Sequence, residues 1–123
     1  MFLAPGGEQG EQECSDSVTG LWVQTRGGTQ VRVRLPRGAL AFQAGECLQI
    51  LSGGLLQATP HMVRGAPDGC GLSRNTFALF MQPSADYELH AGGASATDVD
   101  VARWEPGMTF GVFSERTFSA YYN

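Results

Sequence analysis

Apolar and polar residues alternate with a period of two from Leu21 to Leu35, interrupted by Gly27-Gly28. Side chains two apart share one face of a strand, so this pattern predicts a β-hairpin with its turn at the glycine pair. In its second arm Val31, Val33 and Leu35 face a core and Arg32 and Arg34 face outward. Pro36-Arg37-Gly38 predicts a second turn, and Ala39 to Gln43 a short, largely buried strand. Glu46 to Leu51 fits one helical turn or a strand equally well, and Ser52-Gly53-Gly54 ends it. Leu55 to Val63 reads as a strand with Gln57, Thr59, His61 and Val63 on one face. Pro60 donates no ladder bond, which puts that strand at an edge or bulges it. Asn75 to Gln82 is the next expected strand, apolar on both faces. From Thr109 onward Phe110, Phe113, Thr117 and Tyr121 recur at helical spacing and predict a C-terminal amphipathic helix. Residues 5–19, rich in Gly, Glu, Gln and Ser, read as an exposed loop.

Composition narrows this to one modest, mainly β domain. The 123 residues include 17 Gly and 6 Pro, and 16% are charged. The net charge of -4 is spread thinly, with no basic patch interleaved with aromatics, so nucleic acid is not an expected partner. No apolar run approaches the roughly 20 residues that cross a bilayer, and no basic-then-apolar leader opens the chain, which predicts a cytoplasmic protein without a membrane partner. Cys14, Cys47 and Cys70 are odd in number and widely spaced, the pattern of free thiols rather than of a disulfide framework or zinc site.

Candidate chemistry concentrates in G-E-C-L-Q-I-L-S-G-G-L-L-Q-A-T-P-H-M-V-R-G, residues 45–65, followed by S-R-N-T-F-A-L-F-M-Q-P, residues 73–83. Together they resemble the G-D-x-L-Q-x-x-[TS]-N-G…H-R-V…R-x-S-x-x-x-F-x-x-P signature of 2-oxoglutarate and Fe(II)-dependent dioxygenases of the isopenicillin N synthase-like group. The preceding G-L-W-V…V-R-V-R-L-P-R-G-A-L is similar to the strand pair and turn before that signature. The resemblance is strong over residues 20–83, and the tail from Trp104 is similar to the C-terminal helices of some members.

The resemblance implies a partial double-stranded β-helix, a cupin-like jelly roll, with a C-terminal helix. Residues 1–19 would then be a loop and the remnant of an upstream strand, 20–90 the C-terminal part of the β-helix core, and 91–123 a loop and the helix. It also implies an activity: decarboxylation of 2-oxoglutarate to succinate coupled to oxidation of a small-molecule substrate, with ascorbate as an auxiliary reductant. His61 matches the distal histidine of the 2-His-1-carboxylate iron site. Arg74 and Thr76 match the R-x-S pair that holds the distal carboxylate of the cosubstrate. The period-two rule independently puts these two side chains on one face, where a guanidinium fork and a hydroxyl can grip one anion.

The other two iron ligands of that family come from an H-x-[DE] tripeptide, and none occurs in the sequence. Cys14-Ser15-Asp16 has the shape of a degraded motif but lies too close to Leu21, and Met1-Phe2-Leu3 aligns with the strand that follows H-x-D. The chain alone is therefore expected to be inactive. A metal-free pseudoenzyme that binds a dicarboxylate or a partner protein is the alternative. His90 reads as a surface histidine, and Asp98 and Asp100 as solvated charges rather than a hard-cation site.

Overall fold

A computed structural model describes residues 2–3, 11–12, 16–68, 71 and 73–122. The chain divides into two compact units, residues 1–41 with 59–79, and residues 42–58 with 80–123.

The first unit holds two three-stranded antiparallel sheets. One is built on the hairpin: β3 (Gly20–Gln24) lies between β4 (Gln30–Arg32) and β5 (His61–Arg64). The hairpin loop closes through a Gly28 amide that donates to the Thr25 carbonyl (2.9 Å), with Gly28 at φ +80, a backbone region that glycine enters without steric cost. The other sheet has the order β2-β1-β6 and joins β1 (Phe2–Leu3), β2 (Glu11–Gln12) and β6 (Ser73–Arg74).

Directly opposed residues of an antiparallel pair project from the same face. The register Val31↔Val23↔His61 with Leu21↔Val63 therefore gives the hairpin sheet one apolar face that carries His61 at its end. Its other face pairs Arg32↔Trp22↔Met62. There the Arg64 guanidinium lies 4.5 Å from the Trp22 ring centroid, a cation–π contact, and the Trp22 indole N–H donates to the Val18 carbonyl at 2.6 Å.

Among the described residues the buried apolar side chains all belong to the second unit: Ile50, Leu89, Ala91, Val99, Val101, Trp104, Met108 and Phe113. Around them stand α1 (Glu46–Leu51), α2 (Ala96–Val99) and α3 (Phe110–Tyr122). Gly54 fits α1 to this core closely. It has φ +85, and a Cβ there would sit 2.8 Å from the Asp98 carbonyl oxygen. Gly111 admits a similarly close approach at the start of α3, donating to the Ala85 carbonyl at 2.8 Å. The Ser95 hydroxyl accepts from the Asp98 amide while the Asp98 carboxylate accepts from the Ser95 amide, a capping box that starts α2.

Several expected elements form as the pattern predicts. The hairpin, the turn at Pro36 (Ala39 N–H to Pro36 carbonyl, 3.0 Å) and the C-terminal helix are all present, but the hairpin's second strand is confined to Gln30–Arg32, and Val31 and Leu35, expected to face a core, are exposed. The ambiguous segment 46–51 is helical. Three further strand expectations are corrected. Residues 39–43 form no strand and are exposed. The expected strand 55–63 is confined to His61–Arg64. Pro60 ends that ladder, since it has no N–H to give, although its carbonyl accepts from the Gln24 amide at 2.9 Å. Residues 75–82 enter no ladder and are exposed, because β propensity alone makes no strand without a neighbour to accept its hydrogen bonds. The expected loop 5–19 contains β2 and a buried Thr19; residues 5–10 and 13–15 lie outside the described residues.

Candidate functional site

His61 opens β5 opposite Val23. Its side chain is exposed, with Nδ1 3.1 Å from the Thr59 carbonyl oxygen, so a local contact orients the ring. Arg74 ends β6 opposite Phe2 and is half-buried, whereas Thr76 lies beyond the strand and is exposed. His61 and Arg74 thus belong to two different sheets of the first unit. The shared strand expected to hold Arg74 and Thr76 on one face stops at Arg74.

Asp16 has another occupation. Its carboxylate accepts from the Thr19 hydroxyl, from the Thr19 amide at 2.7 Å and from the Val18 amide at 3.1 Å. The hydroxyl bond first, and then the two amides, hold its pKa below the ordinary carboxylate range. Its backbone carbonyl also accepts from Arg32 at 2.8 Å. Asp16 is a local cap that ties the entry of β3, which accounts for its presence without a metal role.

The described residues offer iron one of the expected ligands, His61. Among the described residues no group of three His, Cys, Asp or Glu side chains is placed to hold a metal ion. His90 is exposed, 3.6 Å from the Glu88 carboxylate. Asp98 is engaged in the capping box, the Ser95 hydroxyl lowering its pKa, and Asp100 closes α2 in a left-handed conformation at φ 52. Both aspartates serve the helix ends. Cys47 is a free, half-buried thiol whose pKa is raised by burial; Cys14 and Cys70 lie outside the described residues.

The motif that carries His61 also contains Gln49, whose structural task sequence reasoning did not identify. Its carboxamide is buried, donates to the Val99 carbonyl at 2.7 Å and accepts from the Ala58 amide at 2.7 Å. A buried Gln that satisfies two main-chain groups fixes the chain on both sides of the Gly53-Gly54 turn. The available signal was a polar residue inside an otherwise apolar helical turn, Leu48-Gln49-Ile50-Leu51.

A second cluster joins Arg103 to Glu46 through a short ion pair, with the Arg103 guanidinium 5.2 Å from the Tyr121 ring centroid. It fastens α1 and α3 to the segment before Trp104 and reads as structural. No helix among the described residues is long and apolar enough to cross a membrane. No family model, curated protein or solved structure matches the chain.

Proposed function

We propose that the chain is part of a 2-oxoglutarate and Fe(II)-dependent oxygenase that acts on a small molecule, and that its own residues supply the cosubstrate anchor. The observation that carries the reading is the composite run from Gly45 to Pro83, with His61, Arg74 and Thr76 at the spacing of the family's signature. The strand placement of His61 and Arg74 supports it, since rigid elements aim side chains better than loops do. The finer architecture, a partial jelly roll, belongs to the same proposal and draws support from the two small antiparallel sheets and the C-terminal helix.

In this reading Arg74 presents its planar fork of donors to the distal carboxylate of 2-oxoglutarate, and the Thr76 hydroxyl adds a further donor. His61 would be one iron ligand and ascorbate an auxiliary reductant. Without the remaining ligands no catalytic step is assigned to these residues. A second reading, a dicarboxylate-binding or protein-interaction pseudoenzyme, is favoured by one observation: H-x-[DE] occurs nowhere in the sequence, and the Asp16 carboxylate is spent on its own turn.

Titration of 2-oxoglutarate into the protein, followed by calorimetry, tests the anchor. Arg74→Ala removes a charge-assisted clamp worth about 1.5–3 kcal/mol, hence roughly a tenfold or larger loss of affinity. Thr76→Val deletes one hydroxyl and costs about 1 kcal/mol. Unchanged affinity in Arg74→Ala would return Arg74 to a strand-end charge and sink the assignment.

A further inference from the structure

Residues 20–38 and 59–65 build the hairpin sheet and its turns. They hold five arginines, Arg26, Arg32, Arg34, Arg37 and Arg64, and no aspartate or glutamate. All 12 carboxylate side chains lie elsewhere in the chain, so the net charge of -4, which argues against a polyanion for the chain as a whole, is not the charge of this sheet. No lysine occurs in the sequence. The positive charge is therefore carried entirely by guanidinium forks, which meet a phosphate with two donors at once.

The register gathers these arginines beside Trp22. Arg32 stands opposite Trp22, and Arg64 opposite Gly20, two residues away on β3, so the three side chains share one face. Gly20 leaves room for them, since a Cβ there would lie 3.4 Å from Arg32 Nε. The Val33 amide donates to the Leu21 carbonyl at 2.8 Å, which extends the pairing one residue past β4, with exposed Arg34 next in the alternation. Arg32 donates to the Asp16 carbonyl at 2.8 Å and Arg64 to the Gln30 carboxamide at 3.1 Å. Both acceptors are neutral, and the Asp16 carboxylate is spent on Thr19 and Val18. No ion pair among the described residues cancels the charge of Arg32 or Arg64.

The face thus offers forks for phosphates and a stacking platform between them, the Arg64 guanidinium over the Trp22 ring at 4.5 Å. An unpaired base stacks on an aromatic ring or on a guanidinium plane, whereas the bases of a duplex are already stacked on one another. We infer that this face of the hairpin sheet binds single-stranded nucleic acid, with a base on the Trp22–Arg64 stack and the flanking phosphates held by Arg32 and Arg34. The inference is independent of the cosubstrate assignment, which uses Arg74, Thr76 and the opposite face of the sheet at His61.

Fluorescence anisotropy of a short labelled oligo(dT) with the full 123-residue chain, over a salt series, tests it. Wild type binds at low salt, and its log affinity falls with log salt at about 0.7 per phosphate held, a slope near ~2 for three contacts. Arg34→Gln, at an exposed position, reduces that slope by about 0.7 and weakens low-salt binding on the order of fivefold, and Arg34→Lys restores the slope. An abasic strand of equal length, with the same phosphates and no bases, binds roughly fivefold or more weakly than oligo(dT). Arg116→Gln, in the second unit, binds as wild type does. A wild type that does not bind at low salt, an unchanged slope in Arg34→Gln, equal affinity for the abasic strand, tighter binding of a duplex, or an equal loss in Arg116→Gln would each overturn the inference.

Discussion

Replacing Gln49 by Ala tests whether the turn after α1 is held by a buried carboxamide. The substitution removes two hydrogen bonds, to the Val99 carbonyl and from the Ala58 amide, each worth a net ~1 kcal/mol. It also strands the Val99 carbonyl in a site where the Val99 residue is 1% exposed, and an unsatisfied buried group costs a further ~1–3 kcal/mol. Any water that enters the space left by the side chain recovers part of this, so the sum is about 2–4 kcal/mol. Against a typical total of about 5–15 kcal/mol this is a large fraction. With about 3–5 °C of melting temperature lost per kcal/mol, between the values for smaller and larger domains, the midpoint falls by roughly 10 °C. Urea unfolding followed by far-UV circular dichroism gives the free energy, and Gln57→Ala, at an exposed position, is the control. A loss below about 0.5 kcal/mol would place Gln49 among ordinary surface positions and refute the reasoning.

Gly54→Ala should destabilise by at least about 1–2 kcal/mol, because L residues disfavour positive φ and the new Cβ would meet the Asp98 carbonyl; an unchanged thermal melt would count against that close approach. Asp16 has a lowered folded pKa, so its contribution is present above the unfolded value near 3.8 and is lost as pH falls through the folded pKa. Asp16→Asn should therefore lower stability at neutral pH and flatten the acid limb of the stability curve below about pH 4, and an unaltered pH profile would refute the cap. With iron and ascorbate supplied, the chain should form no succinate from 2-oxoglutarate above a metal-only control. Succinate above that control would mean that these residues do assemble a working metal site.

The hairpin was legible because both arms alternate strictly and the Gly27-Gly28 turn fixes their register. The helix from Phe110 was legible because Phe113 and its spaced partners repeat at the helical period. Residues 39–43 and 75–82 have the composition of strands and form none, since a strand exists only when another supplies its ladder, and periodicity carries no information about that neighbour. Position 61 was placed on the face of Val63 by alternation alone, as the register has it. The tasks of Asp16 and Asp98 were not legible as caps, because capping depends on where a helix or strand begins to within one residue. Likewise Gln49 could not be tied to Val99 from sequence, since that bond spans fifty residues of separation.

If Arg74 holds the distal carboxylate of a 2-oxo dicarboxylic acid, as proposed, a ligand that lacks this carboxylate should bind more weakly. Calorimetric affinities of 2-oxoglutarate and 2-oxobutyrate, which lacks that carboxylate, are compared for the wild-type protein and for Arg74→Ala. Wild type is expected to prefer 2-oxoglutarate by roughly tenfold or more, and Arg74→Ala to bind the two ligands equally. Equal binding of both ligands by wild type, or a preference for 2-oxoglutarate that survives in Arg74→Ala, would contradict it.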